Sequence, residues 1–455
     1  MISIINPANE ELIAEIVPDT AQQVAEKYVK AKTMLPSWRN TPLEERKAIL
    51  YRFGELLRDE QEDCAQTLTR EMGKPIAQAR NEIAGTLKRI NFFLGAVDEV
   101  IHEQTIISTD EIREKICFEP LGVVANISAW NYPYFVGSNV YVPALLTGNT
   151  VLYKPSELAL FSGKKVASLF AKAGLPDGVL QLVCGAGDVG THLLNQDIQG
   201  VFFTGSVATG QKIAASVAPR FIRTGLELGG KDPAYVCNDV DIAKTAEMLA
   251  DGAFYNAGQS CCAVERIYVH EAVFDAFLEA FCAVVRKYAM GDPRSEKTYL
   301  GPLARQSPLK FLSDQVADAT AKGARVLLEG GVQSGKGWFF KPVVLTNVDH
   351  SMTIMREESF GPVIGIQKVR DDSEALKWMQ DTTYGLTASV CTRDEQRAEK
   401  ILSAMETGTV YWNACDRVSP FLPWTGRKNS GLGTTLSKLG LQSFVHVKAW
   451  HLRRA

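Results

Sequence analysis

The sequence predicts an α/β fold built on a parallel sheet, on three observations. From about residue 121, short apolar runs rich in β-branched residues alternate with amphipathic stretches of helical length. The connections between them are short and punctuated by glycine and proline. After Gly229-Gly230 a second stretch of the same texture begins. Strand–helix–strand units with short connections wind right-handedly and cover both faces of a parallel sheet with helices. In such sheets ligands bind at the carboxyl ends of the strands.

In chain order, the first elements read as helical. Thr41-Pro42-Leu43-Glu44 has the form of a capping box with proline at the first helical position, and Ile49, Phe53, Leu56 and Leu57 then share one face. Gly73-Lys74-Pro75 is expected to end that helical region. Residues 101–116, alternating and charged, read as an extension from the first domain. The predicted strands of the first sheet are 123–127, 150–153, 179–183, 200–203 and 226–228, with residues 158–173 as a helix among them, closed by Gly174-Leu175-Pro176. A domain boundary falls near 230, followed by a helix around 243–254 and strands near 361–369 and 407–412. The tail, 444–452, reads as a strand placed to pair with the 101–116 extension. No internal repeat or low-complexity segment interrupts this order.

Length and composition narrow the function classes. A chain of 455 residues exceeds one compact core and predicts two or three domains. With 46% hydrophobic and 22% charged residues it reads as an ordinary soluble globular protein. A net charge of -3 provides no basic field for nucleic acid and no polybasic patch for anionic lipid, so small ligands are the expected partners. Met1-Ile2-Ser3-Ile4-Ile5 lacks a cationic leader, and no apolar run is long enough to span a membrane. The nine cysteines are odd in number and scattered, which suits free thiols in the cytoplasm. No Cys-x-x-Cys or His-x-x-x-His spacing occurs, and no metal is expected.

One motif invites over-reading. Gly185-Ala186-Gly187-Asp188-Val189-Gly190 follows a predicted strand and matches the glycine pattern of a pyrophosphate seat. The acidic partner expected about twenty residues on is missing, because Phe203-Thr204-Gly205-Ser206 stands there. A plain tight turn from strand to helix accounts for it better.

The chemistry lies in a set of segments, most of them following strands: Ser128-Ala129-Trp130-Asn131-Tyr132-Pro133, Tyr153-Lys154-Pro155-Ser156-Glu157, Phe203-Thr204-Gly205-Ser206, Leu226-Glu227-Leu228-Gly229-Gly230-Lys231, Gly258-Gln259-Ser260-Cys261 and Glu358-Ser359-Phe360-Gly361-Pro362. In this order they resemble the aldehyde dehydrogenase superfamily, over essentially the whole chain from Asn6-Pro7 onward, with bacterial semialdehyde dehydrogenases among the similar enzymes. The resemblance implies a Rossmann-like dinucleotide-binding domain (1–102 and 121–229), an α/β catalytic domain (230–435) and a small β oligomerisation extension (103–120 and 436–455). It further implies a homodimer or homotetramer, and the oxidation of an aldehyde to a carboxylic acid.

The family's G-Q-x-C pattern places its nucleophile at Cys261 rather than Cys262, and its E-L-G-G-K motif places the general base at Glu227, 34 positions before it, from 227 to 261. A cysteine thiolate suits attack on an aldehyde carbon, because its adduct later leaves as a thioester. The side chain of Asn131 with the backbone N–H of Cys261 would then meet the developing alkoxide. For the cofactor, the resemblance assigns Lys154 and Glu157 to the adenosine ribose, Gly205 and Ser206 to the pyrophosphate, Glu358 to the nicotinamide ribose, Phe360 to the ring and Trp130 to the wall. A carboxylate at Glu157 favours NAD over NADP, with NADP possible.

Departures from the family's pattern are Val140 in place of a lysine, Pro423-Trp424-Thr425-Gly426 in place of P-F-G-G, and Thr434-Thr435-Leu436-Ser437 in place of R-E-L-G. The chain also begins close to the Asn-Pro motif, which implies that subunit contacts of a longer arm are absent. Trp424, Tyr132 and Phe135 are expected to line an aromatic aldehyde tunnel, with Arg417 at its mouth either receiving a substrate carboxylate or lying free on the surface. Two other readings compete: a Cys-dependent thioester hydrolase or acyltransferase without hydride transfer, which would need a histidine base, and a non-catalytic family member acting as a binding protein. The six histidines stand in no motif near the thiol, and the joint presence of Asn131, Glu227 and Cys261 opposes the second.

Overall fold

A computed structural model describes residues 1–454. Its first sheet has six strands in the order Gly431–Leu432, Arg223–Glu227, Gly200–Thr204, Val123–Ile127, Thr150–Lys154, Leu180–Leu182, all parallel except the first pair. The period-two geometry of strands divides their side chains between two cores. Val124, Val151, Tyr153 and Phe202 enter one cluster, while Val123, Ala125, Leu152 and Val201 enter another on the opposite face. Both faces are thus covered, which is why these strands read as unbroken apolar runs.

The second sheet has seven strands in the order Arg325–Leu328, Val343–Thr346, Val363–Val369, Val264–His270, Asp232–Val236, Thr387–Cys391, Thr409–Trp412, antiparallel only in the first pair. It carries its own core of buried aliphatic and aromatic side chains. A third, antiparallel sheet pairs Val445–Arg453 with Ile112–Pro120 along its whole length and adds Gln104–Ser108. The predicted pairing of tail and extension is therefore present. The architecture is α/β with a Rossmann-like parallel sheet, a second α/β sheet and a small β extension.

Several local expectations need correction. Thr41 caps no helix: its hydroxyl donates back to Ser37 O at 3.0 Å, closing the helix Ala21–Asn40, and Pro42 is the N-cap of Leu43–Asp59 with no side-chain cap. The capping box in this region is at Thr20, whose side chain exchanges bonds with Gln23. Gly73, in the left-handed conformation, ends Gln61–Met72, but Pro75 then opens a longer helix, Ile76–Ile101. The strand expected at 226–228 is Arg223–Glu227. Its polar beginning hides it from an apolar criterion, and it ends where Leu228 N turns to Ser430 O at 3.0 Å. The helix read over 158–173 is Leu160–Lys172, preceded by a 3-10 turn at Glu157–Ala159 that Ser156 caps.

Candidate active site

The two sheets meet where Arg223–Glu227 ends in one and Asp232–Val236 begins in the other. A cleft of about 410 Å³ lies there, lined by Asn131, Glu227 and Cys261 together with Trp130, Gly205, Ser206, Glu358 and Phe360. Eight of the ten residues named from the sequence thus share one wall-to-wall space. The other two, Lys154 and Glu157, lie outside the lining, at the end of the strand adjoining Val123–Ile127 and in the following 3-10 turn.

The loop that delivers Cys261 is strained and tightly tied. Asn256 and Ala257 both take left-handed backbone conformations, at φ 54° and 55°, and Gly258 follows at φ 71°. Each such non-glycine residue costs on the order of 1 kcal/mol and persists only where the surroundings fix it. Here Asn256 N donates to Gln78 Oε1 at 3.0 Å, Asn256 Nδ2 to Gln259 O at 3.1 Å, and Ala304 N to Gln259 Oε1 at 3.0 Å. Only glycine fits at 258, since a Cβ would come within 2.5 Å of Gly361 O. Asn131 Nδ2 donates to Gln259 O at 3.1 Å, so the amide is fastened to the loop two residues before the thiol.

The two neighbouring thiols occupy different environments. Cys261 is partly exposed on the cleft. Cys262 is buried, and its Sγ donates to Asp416 Oδ1 at 3.0 Å beside Ser260 Oγ, which donates to the same oxygen at 2.9 Å. The Cys261 thiol, burial and the Asp416 carboxylate together push the Cys262 thiol well above its ordinary range, so it stays protonated. Burial lifts Asp416 itself to about 6.

Glu227 stands half-buried at the end of its strand on the cleft, and the desolvation of its carboxyl pushes its pKa up to about 7. Hydrogen bonds from the Thr435 hydroxyl and, at 3.5 Å, from Thr204 oppose the rise, as does the charge of Arg89. Thr435 belongs to the departure from R-E-L-G, and nothing local to Thr434-Thr435-Leu436-Ser437 announced its partner.

On the opposite wall, burial and the charge of Glu265 push Glu358 up to about 8. Its carboxyl accepts a single hydrogen bond, from Gly230 N at 3.2 Å, and occupies the space that a side chain on Gly229 would fill. Neighbouring Glu265 organises this wall: it accepts from Ser359 N and Phe360 N, each at 2.9 Å, and pairs with Lys231 at 2.5 Å. That hub explains how Phe360 is held in a left-handed conformation, edge-on to Trp130 with ring centroids 5.6 Å apart.

A second buried pair escaped the sequence reading. Lys74 is paired with Glu82, donates to Asn131 O at 2.7 Å and lies 3.7 Å above the Tyr132 ring. Glu82 in turn accepts from Tyr134 N at 2.9 Å in the first turn of Pro133–Leu146. A buried pair is sustained only when its remaining hydrogen-bonding capacity is used, and here it positions the backbone of Asn131. Lys74 sat in a segment read only as a helix stop.

The remaining expectations divide. The glycine pattern at 185–190 is a tight turn into Gly187–Leu194, with Gly185 pressed against Val189. Trp424 is buried, and Tyr132 stacks on Phe135 at 5.6 Å. Arg417 has 76% of its side chain exposed, 4.0 Å from Asp251. Among the described residues no histidine lines the cleft; His270 ends the strand Val264–His270.

Comparison with known proteins identifies the family and the fold. The model of the aldehyde dehydrogenase family matches residues 1–450. An aldehyde dehydrogenase of Paenarthrobacter nicotinovorans is 34% identical over 451 residues, 98% of each chain. The NAD(P)+-dependent succinate semialdehyde dehydrogenase of Escherichia coli strain K12 is 34% identical over 446 residues, 98% of this chain and 96% of its own. The crystal structure of an E. coli NADP-dependent enzyme superposes with a TM-score of 0.97 at 32% identity, covering 100% of this chain and 95% of its own.

Proposed function

This chain belongs to the aldehyde dehydrogenase family, and we propose that Cys261, Asn131 and Glu227 carry its oxidation of an aldehyde to a carboxylic acid with a nicotinamide dinucleotide. The observation that carries the assignment is their meeting on one cleft although they stand on three separate segments, two loops and a strand end.

The Cys261 thiolate attacks the aldehyde carbon and forms a thiohemiacetal. The negative charge that develops on oxygen is met by Asn131 Nδ2, already held beside the loop, and by the Cys261 backbone N–H. A donor of this kind is worth about 3 kcal/mol in the transition state. When bound, the dinucleotide supplies the ring carbon that accepts the hydride, which leaves a thioester on Cys261. Glu227, with a pKa of about 7, is divided between acid and base near neutral pH and takes the proton from the water that hydrolyses that thioester. A hydrolase without hydride transfer lacks the histidine base it would need on this cleft.

The cleft fits the dinucleotide. Glu358 has one protein donor and free acceptor capacity for ribose hydroxyls, in a niche that the missing side chain of Gly229 opens. Gly205 and Ser206 precede the helix Val207–Val217, whose amino terminus favours an anion such as the pyrophosphate, and Trp130 and Phe360 wall the ring. Lys154 and Glu157 hold the adenosine ribose, where a carboxylate repels a 2′-phosphate. Assaying an aldehyde panel with NAD and NADP in parallel tests the function. Glu157→Gln should shift the kcat/KM ratio toward NADP by about tenfold, a difference of about 1.4 kcal/mol; an unchanged ratio would remove Glu157 from cofactor choice.

The proposed domains are 1–102 with 121–229, 230–435, and 103–120 with 436–455. The change of sheet between Glu227 and Asp232 supports the first boundary, although Gly431–Leu432 returns to pair with Arg223–Glu227. No helix is long and apolar enough to cross a membrane among the described residues, and we place the enzyme in the cytoplasm. Val447, Trp450 and Leu452 are exposed on the antiparallel extension, which supports a homodimer or homotetramer built through it. Light scattering should return two or four times the chain mass, and a monomer would exclude that arrangement.

A further inference from the structure

Arg89, on the helix Ile76–Ile101, is only 4% exposed, yet no carboxylate pairs with it among the described residues. Two other buried cations beside the cleft, Lys74 and Lys231, are matched by Glu82 and Glu265. Arg89 Nε donates to Asn139 Oδ1 at 3.1 Å and Nη1 reaches Gly85 O at 3.5 Å, while neither N–H of Nη2 has a protein acceptor. Burial lowers its pKa to about 10, which leaves it charged at neutral pH. A buried guanidinium without a contacting carboxylate is costly, and the more distant charges of Glu82 and Glu227 offset the burial only in part.

Its position says what the charge is for. The guanidinium carbon lies 3.8 Å from the centroid of Phe135, Phe135 stacks on Tyr132, and Tyr132 follows Asn131 in the chain. One helical turn before Arg89, a Cβ on Gly85 would come within 2.6 Å of the Phe135 ring, so the ring is pressed against the helix and Arg89 arches over it. Neither Arg89, Tyr132 nor Phe135 lines the 410 Å³ cleft. Through Tyr132 they adjoin Asn131 outside that cleft, the side left for the rest of an aldehyde when its carbonyl is at Cys261 and the cleft is taken by the dinucleotide. Three residues on from Arg89, Phe92 meets Phe421 edge-on at 5.1 Å, and Phe421 is 72% exposed, so the helix that carries Arg89 reaches solvent one turn further on.

We propose that Arg89 is the specificity-determining cation of this enzyme, receiving a carboxylate at the far end of the aldehyde, so that its substrates are ω-oxo carboxylates. This rests on the aldehyde-oxidising reading above and deepens it. A guanidinium matches a carboxylate with two parallel N–H donors, and one positive charge without a contacting carboxylate suits one carboxylate better than a phosphate dianion. Arg417, for which the sequence leaves both this role and a free surface position open, is exposed beside Asp251, where water screens its charge.

The test compares succinate semialdehyde with butanal, which has the same number of carbons and no charge, and with 4-aminobutanal, which is cationic. The wild-type enzyme should prefer succinate semialdehyde over either by at least about a hundredfold in kcat/KM. Arg89→Met should lose that preference, its kcat/KM for succinate semialdehyde falling to within about threefold of its own value for butanal. Arg89→Lys should retain an intermediate preference. Equal kcat/KM for butanal and succinate semialdehyde in the wild type would overturn the role of Arg89 and leave aldehyde oxidation standing. Failure to oxidise any aldehyde would instead remove the underlying reading, and succinate binding by calorimetry then decides the role of Arg89. The wild type should bind succinate with at least about tenfold higher affinity than Arg89→Lys, and equal affinities would sink the proposal.

Discussion

Cys261→Ala is expected to abolish aldehyde oxidation, lowering kcat by about ten-thousandfold or more, as loss of a covalent nucleophile does elsewhere. Dinucleotide binding should persist, because the residues that form the rest of the cleft are untouched. Cys262→Ala provides the decisive contrast. Its thiol is buried, protonated and committed to Asp416, so its loss should leave turnover within about threefold of the wild type. Steady-state rates of the two variants with a common aldehyde, together with dinucleotide titrations followed by protein fluorescence, measure both halves. Normal turnover in Cys261→Ala with a dead Cys262→Ala would reverse the assignment.

Glu227→Gln should separate the two halves of the reaction. Reduced dinucleotide should appear in a rapid burst of about one equivalent, after which turnover slows by about a hundredfold to a thousandfold as the thioester accumulates. Rapid mixing with acid quench and mass measurement of the trapped acyl-enzyme detects it. The sign of the pH dependence follows from the raised pKa. Below about 7 the carboxyl is protonated and cannot accept a proton from water, so where hydrolysis limits the rate, wild-type kcat should climb about tenfold per pH unit toward 7 and level off above it. The variant should lose that rise. A variant showing neither burst nor slowing would take the base role from Glu227.

The first sheet was legible because both faces of its strands are buried, so apolar runs and strands coincide at Val123–Ile127 and Gly200–Thr204. Most of the second sheet was not foreseen. Asp232–Val236 and Thr387–Cys391 begin at polar residues bound to each other, Asp232 accepting from Thr387 N and Oγ1, and such pairing is invisible one segment at a time. Within the cleft the motif residues could be named because their spacing is characteristic. The groups that set their chemistry could not: Lys74, Thr435, Glu265 and Asp416 act across long sequence separations, each unremarkable in its own segment. The same is true of Arg89, one helical cation among many until its burial and lack of a carboxylate partner are seen together.

Asn131 O receives both Lys74 and, at 3.3 Å, Asn256, while Asn131 Nδ2 grips the same loop from the other side. Amide and sulfur-bearing turn are therefore one splinted piece, assembled when the chain folds and not when the aldehyde arrives. The carbonyl meets a mould that has already set, so little ordering remains to be done at the moment of attack.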